Sequence, residues 1–178
     1  MTATPGTDVT ATTTALTAHL IRESTGLCTE ACGNIGLPIS SFALERDSRD
    51  VLVVECSSFQ LETIQSFSPD AAALLNVAAD HLDRYADMEI YVHAKLRILD
   101  RMTGRGIFLA PSELLPRAEA WLRGRRGEIP RLEAVDNPFP DGRVRILGQD
   151  LILAEEFPLA GRHNLLNLAF ALKLLEAL

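Results

Sequence analysis

Apolar and polar positions in this chain follow two periods, and the switches between them mark its elements. Over 12–24, TTTALTAHLIRES, the residues Ala15, Leu16, Leu20 and Ile21 recur at helical spacing behind a threonine-rich start. This predicts an amphipathic helix with a capped N-terminus, closed by Gly26. VLVVEC (51–56), AAALLNV (71–77) and GIFLA (106–110) are short and continuously apolar, the signature of strands covered on both faces. Helical spacing returns over 86–102, over 112–124 up to Gly124, and over 163–178 to the last residue. RVRILGQDLIL (143–153) holds two alternating runs about a glycine turn and predicts a hairpin. The order is βαβ, so the expected fold is α/β: a mostly parallel sheet flanked by helices, with a small β-hairpin near 143–154.

The two ends add an expectation. The last helix lacks the Gly, Asn or Pro that commonly follows one, and the first helix is entered through a Gly6 turn with no strand before it. Both features predict a domain cut at each end and a sheet short of one strand. At 178 residues the chain suits one domain, burying roughly 70% of the surface its unfolded form exposes.

Composition narrows the function classes. The net charge of −7, at 47% hydrophobic and 23% charged residues, argues against a nucleic-acid partner. The densest basic cluster, Arg123, Arg125 and Arg126, reads as a solvated helix end that suits the helix dipole. Cys28, Cys32 and Cys56 make an odd count with no secretory leader and no 18-residue apolar run. That predicts a cytoplasmic location, no membrane span and small buried thiols. The C-x3-C spacing lacks the second Cys or His pair that a zinc site needs.

Candidate chemistry gathers where apolar runs end. An open parallel sheet binds ligands beyond the carboxyl ends of its strands, which places Glu55, Ser57, Asn76, Asp80 and His81 on one expected rim. Glu55 is either a magnesium ligand or a solvated strand-end charge. Asp80, His81 and Asp83 form a D-H-x-D turn able to aim an imidazole and a carboxylate at one ion. Lys95, one of two lysines with Lys173, lies within an apolar helical stretch. Its amine is either part-buried, with a lowered pKa and able to take up carbon dioxide, or snorkels to water on its stem. GNIG (33–36) marks either a close backbone approach to a ligand or an ordinary turn. Asn164 and Asn167, three apart at a helix start, either cap the helix or read the edge of a polar ring.

GNIGLP, ECSSFQLET, LNVAADHLDRY, HAKLRIL and GRHNLLN, in this order and spacing, resemble the central ATPase domain of the Mur ligases over about residues 6–178. SSFQLET and D-H-x-D-R-Y point to the branch whose substrates are UDP-N-acetylmuramoyl-L-alanine and D-glutamate. The resemblance implies a P-loop NTPase-like fold, ATP and two magnesium ions as cofactors, and a cytoplasmic monomer. It implies phosphorylation of the muramoyl carboxylate to an acyl phosphate, attack by the D-glutamate amine, and release of phosphate. By motif position Glu55, His81 and Lys95 would hold magnesium, Lys95 as a carbamate. Asn34, Ser57, Gln60, Asp80 and Arg84 would contact the muramoyl substrate, and Asn164 and Asn167 the adenine. The family's uridine-diphosphate-binding and amino-acid-binding domains do not fit in this length, so little turnover is expected from it alone.

One family element departs. The phosphate loop G-T-x-G-K-[ST]-T-T aligns with Gly6, Thr7, Asp8, Val9, Thr10, Ala11, Thr12 and Thr13. Gly6, Thr7, Asp8 and Thr12 would still meet ATP, but Val9 stands for glycine, Thr10 for the phosphate lysine and Ala11 for the magnesium hydroxyl. ATP binding is expected to be severely weakened. Two readings follow: the catalytic middle domain of a ligase, favoured by intact Glu55, His81 and Lys95, or a degenerate Mur-like binding module without ATPase activity, favoured by the altered loop.

Overall fold

The computed structural model describes residues 7–44, 49–77, 84–136, 139–146, 148–159 and 161–178. Its elements in chain order are α1 (Thr7–Thr25), β1 (Thr29–Gly33), α2 (Ile39–Leu44), β2 (Val51–Glu55), α3 (Ser58–Thr63), β3 (Ala71–Ala73) and α4 (Met88–Leu96). A 3-10 turn (Arg97–Arg101) follows, then β4 (Ile107–Ala110), α5 (Leu115–Leu122), β5 (Arg131–Ala134), β6 (Arg143–Ile146), β7 (Gln149–Leu153) and α6 (Arg162–Glu176). These form two compact units, Met1–Glu55 with Asp136–Leu178, and Cys56–Val135. The α/β class and the parallel strand pairing are as expected.

In the first unit α1 starts at Thr7, ahead of the predicted residue 12, and runs through the expected phosphate loop. Threonine hydroxyls ordinarily compete with helical backbone bonding. Here those of Thr13, Thr14, Thr17 and Thr25 donate to the carbonyls four residues back, of Val9, Thr10, Thr13 and Ile21, at 3.0, 2.9, 2.7 and 2.6 Å. They satisfy themselves along the helix instead of capping its start. Thr14, Thr17, Ala18 and Ile21 are buried, α1 packs on α6, and Leu20 joins a cluster of Val144, Leu168 and Leu172. β1 and β2 pair in parallel, with Thr29 opposite Val51 and Gly33 opposite Glu55. β6 and β7 form the expected antiparallel hairpin, with Gly148 at φ +81° in its turn.

The second unit is built on the parallel order β3-β4-β5, whose centre, β4, is buried at all four positions. β3 ends at Ala73, short of the predicted 77, although the Leu74 N–H still reaches the Leu109 carbonyl at 2.9 Å. Beyond it β4 meets Pro111, which has no N–H for a ladder. The predicted helix 86–102 divides: the Asp87 carboxylate caps α4 by accepting from the Ile90 N–H at 2.9 Å, and past Leu96 the chain tightens into the 3-10 turn. α4, this turn and α5 cover the sheet with Leu96, Leu99, Met102, Ala118 and Leu122 around Phe108. Each large apolar side chain so buried contributes about 1.5–3 kcal/mol. α5 occupies only part of 112–124, because Pro116 in its first turn fixes where it begins.

Two expectations about side chains are corrected. Arg125 is half-buried, not a solvated helix end: its Nη1 and Nη2 donate to the Leu99 and Met102 carbonyls at 2.6 and 2.7 Å and tie down the 3-10 turn. Of the three cysteines only Cys32 is buried, while Cys28 is exposed and Cys56 half-buried. Burial, and then the charge of Glu30, pushes the Cys32 thiol up and keeps it unreactive. Among the described residues no helix is long and apolar enough to cross a membrane.

Candidate active site

β2 carries Glu55 to its carboxyl end beside Gly33 of β1. Gly33 has φ +106°, and a Cβ there would collide with the Glu55 carbonyl oxygen, so this glycine admits the close approach of the neighbouring strand β2. The next N–H, of Asn34, donates to that carbonyl at 2.9 Å, and this fixes where the Asn34 side chain goes. Its Nδ2 donates to Glu55 Oε1 at 3.3 Å, and from α1 the Thr10 hydroxyl donates to the same oxygen at 3.1 Å. Glu55 is only 7% exposed, and its Oε2 is buried with no hydrogen-bond partner among the described residues. The solvated-charge reading therefore fails. A buried carboxylate oxygen without a partner is costly, and it is the hard donor that magnesium selects.

Thr10 was not among the sequence candidates as a partner of Glu55. The signal was present: Thr10, Thr14, Thr17 and Ile21 fall at i, i+4, i+7 and i+11, so the helical pattern extends back to Thr10.

The described residues aligned with the phosphate loop belong to α1. Thr7 and Asp8 lie in the first turn of α1, Thr12 is half-buried further along it, and Gly6 is outside the described residues. Within a helix starting at Thr7, N–H groups beyond the first four are engaged by the helix itself, so among the described residues the amides from Ala11 onward are not open to a phosphate. At the other helix of this unit the capping alternative for Asn164 and Asn167 is overturned. The N-cap of α6 is Gly161, with φ +103° and no side-chain cap. Asn164 is third in the helix, its N–H bonded to the Gly161 carbonyl at 3.0 Å, and the buried Asn167 donates Nδ2 to Asn164 Oδ1 at 3.4 Å.

In the second unit Ser57 and Gln60 form a capping box on α3. Ser57 Oγ accepts from the Gln60 N–H at 3.2 Å and Gln60 Oε1 accepts from the Ser57 N–H at 2.8 Å. Arg84 Nη2 donates to Glu62 Oε2 at 2.8 Å, and its guanidinium lies 4.7 Å over the Phe59 ring. Phe59 stacks on Tyr85 at 6.1 Å, Tyr85 tilts onto Tyr91 at 5.1 Å, and Lys95 Nζ sits 4.8 Å over Tyr91. Arg84 and the half-buried Lys95 thus rest at the two ends of one aromatic row. The neighbouring Tyr85 hydroxyl, then the Arg84 guanidinium, hold the Glu62 carboxyl below its ordinary value. Burial pushes the Tyr85 hydroxyl up, and it lies near Ser58 and Glu62 without closing a hydrogen bond of standard geometry. Asn76 is exposed beyond β3, while Asp80, His81 and Asp83 lie outside the described residues. Among the described residues no three His, Cys, Asp or Glu gather as a metal cluster.

Residues 5–175 match the family model of the Mur ligase middle domain. The UDP-N-acetylmuramoylalanine--D-glutamate ligase of Citrifermentans bemidjiense is 35% identical over 179 residues, covering 97% of this chain and 39% of that protein. The ligase of the same name from Trichlorobacter lovleyi is 38% identical over 176 residues, 94% of this chain and 39% of its own length. A shorter stretch of 93 residues, 52% of the chain, is 48% identical to that of Nitratidesulfovibrio vulgaris and covers 21% of it. The solved structure of a UDP-N-acetylmuramoyl-L-alanyl-D-glutamate--2,6-diaminopimelate ligase matches with a TM-score of 0.60 at 18% identity, over 93% of this chain and 40% of that one, a likeness of fold. The chain spans 39% of the length of the first two curated relatives.

Proposed function

Since the chain belongs to the Mur ligase middle-domain family, we propose that it is the ATP-site domain of a ligase that joins D-glutamate to UDP-N-acetylmuramoyl-L-alanine in peptidoglycan synthesis. The observation that carries this reading is Glu55, a buried carboxylate at a strand end whose Oε2 has no partner among the described residues. Transfer of a phosphoryl group to a carboxylate brings negative charges together, and bound magnesium supplies the offsetting charge.

In this reading Glu55 holds one cation through Oε2 while Asn34 and Thr10 fix Oε1. By motif position His81 and a carbamylated Lys95, both in the 56–135 stretch, are the other candidate cation ligands. Arg84, kept extended by Glu62 and Phe59, faces the substrate's carboxylate, and Ser57, Gln60 and Asp80 orient the muramoyl group. Asn164 meets the adenine edge, supported from behind by the buried Asn167, whose Nδ2 donates to its Oδ1. With α1 running through the phosphate-loop segment, the triphosphate is the weakly held part of the substrate set.

A chimera tests this function. The matched region of the Citrifermentans ligase is replaced by this chain, with and without Val9→Gly, Thr10→Lys and Ala11→Thr, and D-glutamate-dependent phosphate release is followed. The loop-restored chimera is expected to turn over, and Glu55→Gln in it to reduce turnover by about 100-fold or more, the cost of removing a metal-borne charge term. A folded, loop-restored chimera that releases no phosphate, or one indifferent to Glu55→Gln, contradicts the reading.

A further inference from the structure

Arg84 stands outside every helix and strand, with its side chain 54% exposed. An exposed ion pair alone holds so long a side chain weakly. The second unit supplies more than an ion pair. Phe59 and Glu62 are three apart on α3 and so share one face of that helix. This face offers the Arg84 guanidinium an aromatic ring at 4.7 Å and a carboxylate oxygen at 2.8 Å, and the two contacts together fix its plane. Phe59 is backed in turn by Tyr85, stacked at 6.1 Å and only 4% exposed. The Glu62 backbone is held as well. Its carbonyl lies in the last turn of α3, where helix carbonyls lose their partners, and Arg97 Nη1 donates to it at 2.6 Å. Arg97 opens the 3-10 turn directly after α4, two residues past Lys95. Arg97 therefore joins α3 to the helix that carries Lys95, and Glu62 joins both to Arg84.

Resting on the proposed place of Arg84 at the substrate's carboxylate, we infer that Glu62 and Arg97 are positioning residues that hold Arg84 in register with the Lys95 helix. Neither needs to touch the substrate. Nη2 of Arg84 is committed to Glu62, and the remaining donors of the guanidinium fork take the carboxylate. Without Glu62 the charge of Arg84 still attracts the substrate, so binding survives. Alignment does not, and a misplaced carboxylate reacts slowly. The mark of this role is a loss in kcat with little change in KM.

Spectra and kinetics test it together. In nuclear magnetic resonance spectra of the 178-residue chain, the Arg84 side-chain N–H signals are expected to be displaced by the Phe59 ring. They return to the ordinary arginine position in Glu62→Gln, and part of the way in Arg97→Met. In the loop-restored chimera, Glu62→Gln is expected to lower kcat by about tenfold or more while KM for the muramoyl substrate stays within about threefold. Arg97→Met lowers kcat in the same sense, and Arg97→Lys, which keeps a donor, recovers part of it. In an Arg84→Ala background Glu62→Gln costs less than about twofold, because its effect passes through Arg84. A full loss in that background marks a merely structural role and overturns the inference. An unchanged kcat, or an Arg84 signal that Glu62→Gln leaves in place, overturns it as well. A folded chimera without turnover before any of these changes sinks the ligase reading and this inference with it, whereas turnover with an additive Glu62→Gln loss sinks this inference alone.

Discussion

Gly33→Ala tests the strand contact that places Asn34 against Glu55. At φ +106° an L side chain is strained by about 1–2 kcal/mol. A Cβ would also collide with the Glu55 carbonyl oxygen and come within 2.9 Å of Val54 Cγ1, both on the parallel neighbour strand. Strand backbone cannot swing aside as a surface side chain can, so overpacking adds about 1–3 kcal/mol. The total expected, about 2–5 kcal/mol, is a large part of the 5–15 kcal/mol typical of a folded domain. Gly26→Ala is the control, since Gly26 has φ +74° but nothing within 4 Å of a Cβ, and it should lose only the conformational part. Urea unfolding followed by circular dichroism compares the two. If Gly33→Ala proves no more destabilising than Gly26→Ala, the close approach of Gly33 to Glu55 is refuted.

Arg125→Met should cost about 1–3 kcal/mol in urea unfolding, because two hydrogen bonds from a charged donor to the Leu99 and Met102 carbonyls are lost. Arg123→Met, at an exposed position, should stay within about 0.5 kcal/mol, and equal losses would refute the tie. Glu62 gives an acid-limb prediction. Its folded carboxyl is lowered by the Tyr85 hydroxyl and then by Arg84, so its contribution is full above the unfolded glutamate value, about 4.3, and fades as pH falls through the lower folded value. The urea midpoint of wild type should therefore exceed that of Glu62→Gln at neutral pH and converge on it in acid. Parallel curves would contradict this.

How much of this was legible depended on whether an element announces itself by its own side chains. VLVVE and IFLA are dense apolar runs ended by a charge and a proline, and they form β2 and β4 as expected. β1, TEACG, and β5, RLEA, carry no such run and exist because a neighbouring strand pairs with them, which a one-dimensional pattern does not show. The apolar pattern starts α1 only at residue 12 because threonine is a poor helix former in isolation. Only the tertiary setting reveals that its hydroxyls bond back along the helix. At the site, Glu55 was legible as the charge that ends an apolar run. Its partners were not: Thr10 stands far from it in sequence, and the Glu62 contact of Arg84 and the Tyr91 contact of Lys95 arise from packing in the second unit. Ser57 and Gln60 were read by motif resemblance, and the structure adds the local reason for their spacing, a reciprocal cap on α3.

The central claim is that this chain keeps the cation-binding carboxylate of a Mur ligase middle domain while lacking the loop that grips ATP phosphates. Calorimetric titration of magnesium-ATP into the chain and into its Val9→Gly, Thr10→Lys, Ala11→Thr form tests it most directly. The account predicts that the restored form binds at least about tenfold more tightly, a difference of about 1.4 kcal/mol or more. Equal, tight binding by both forms would contradict it.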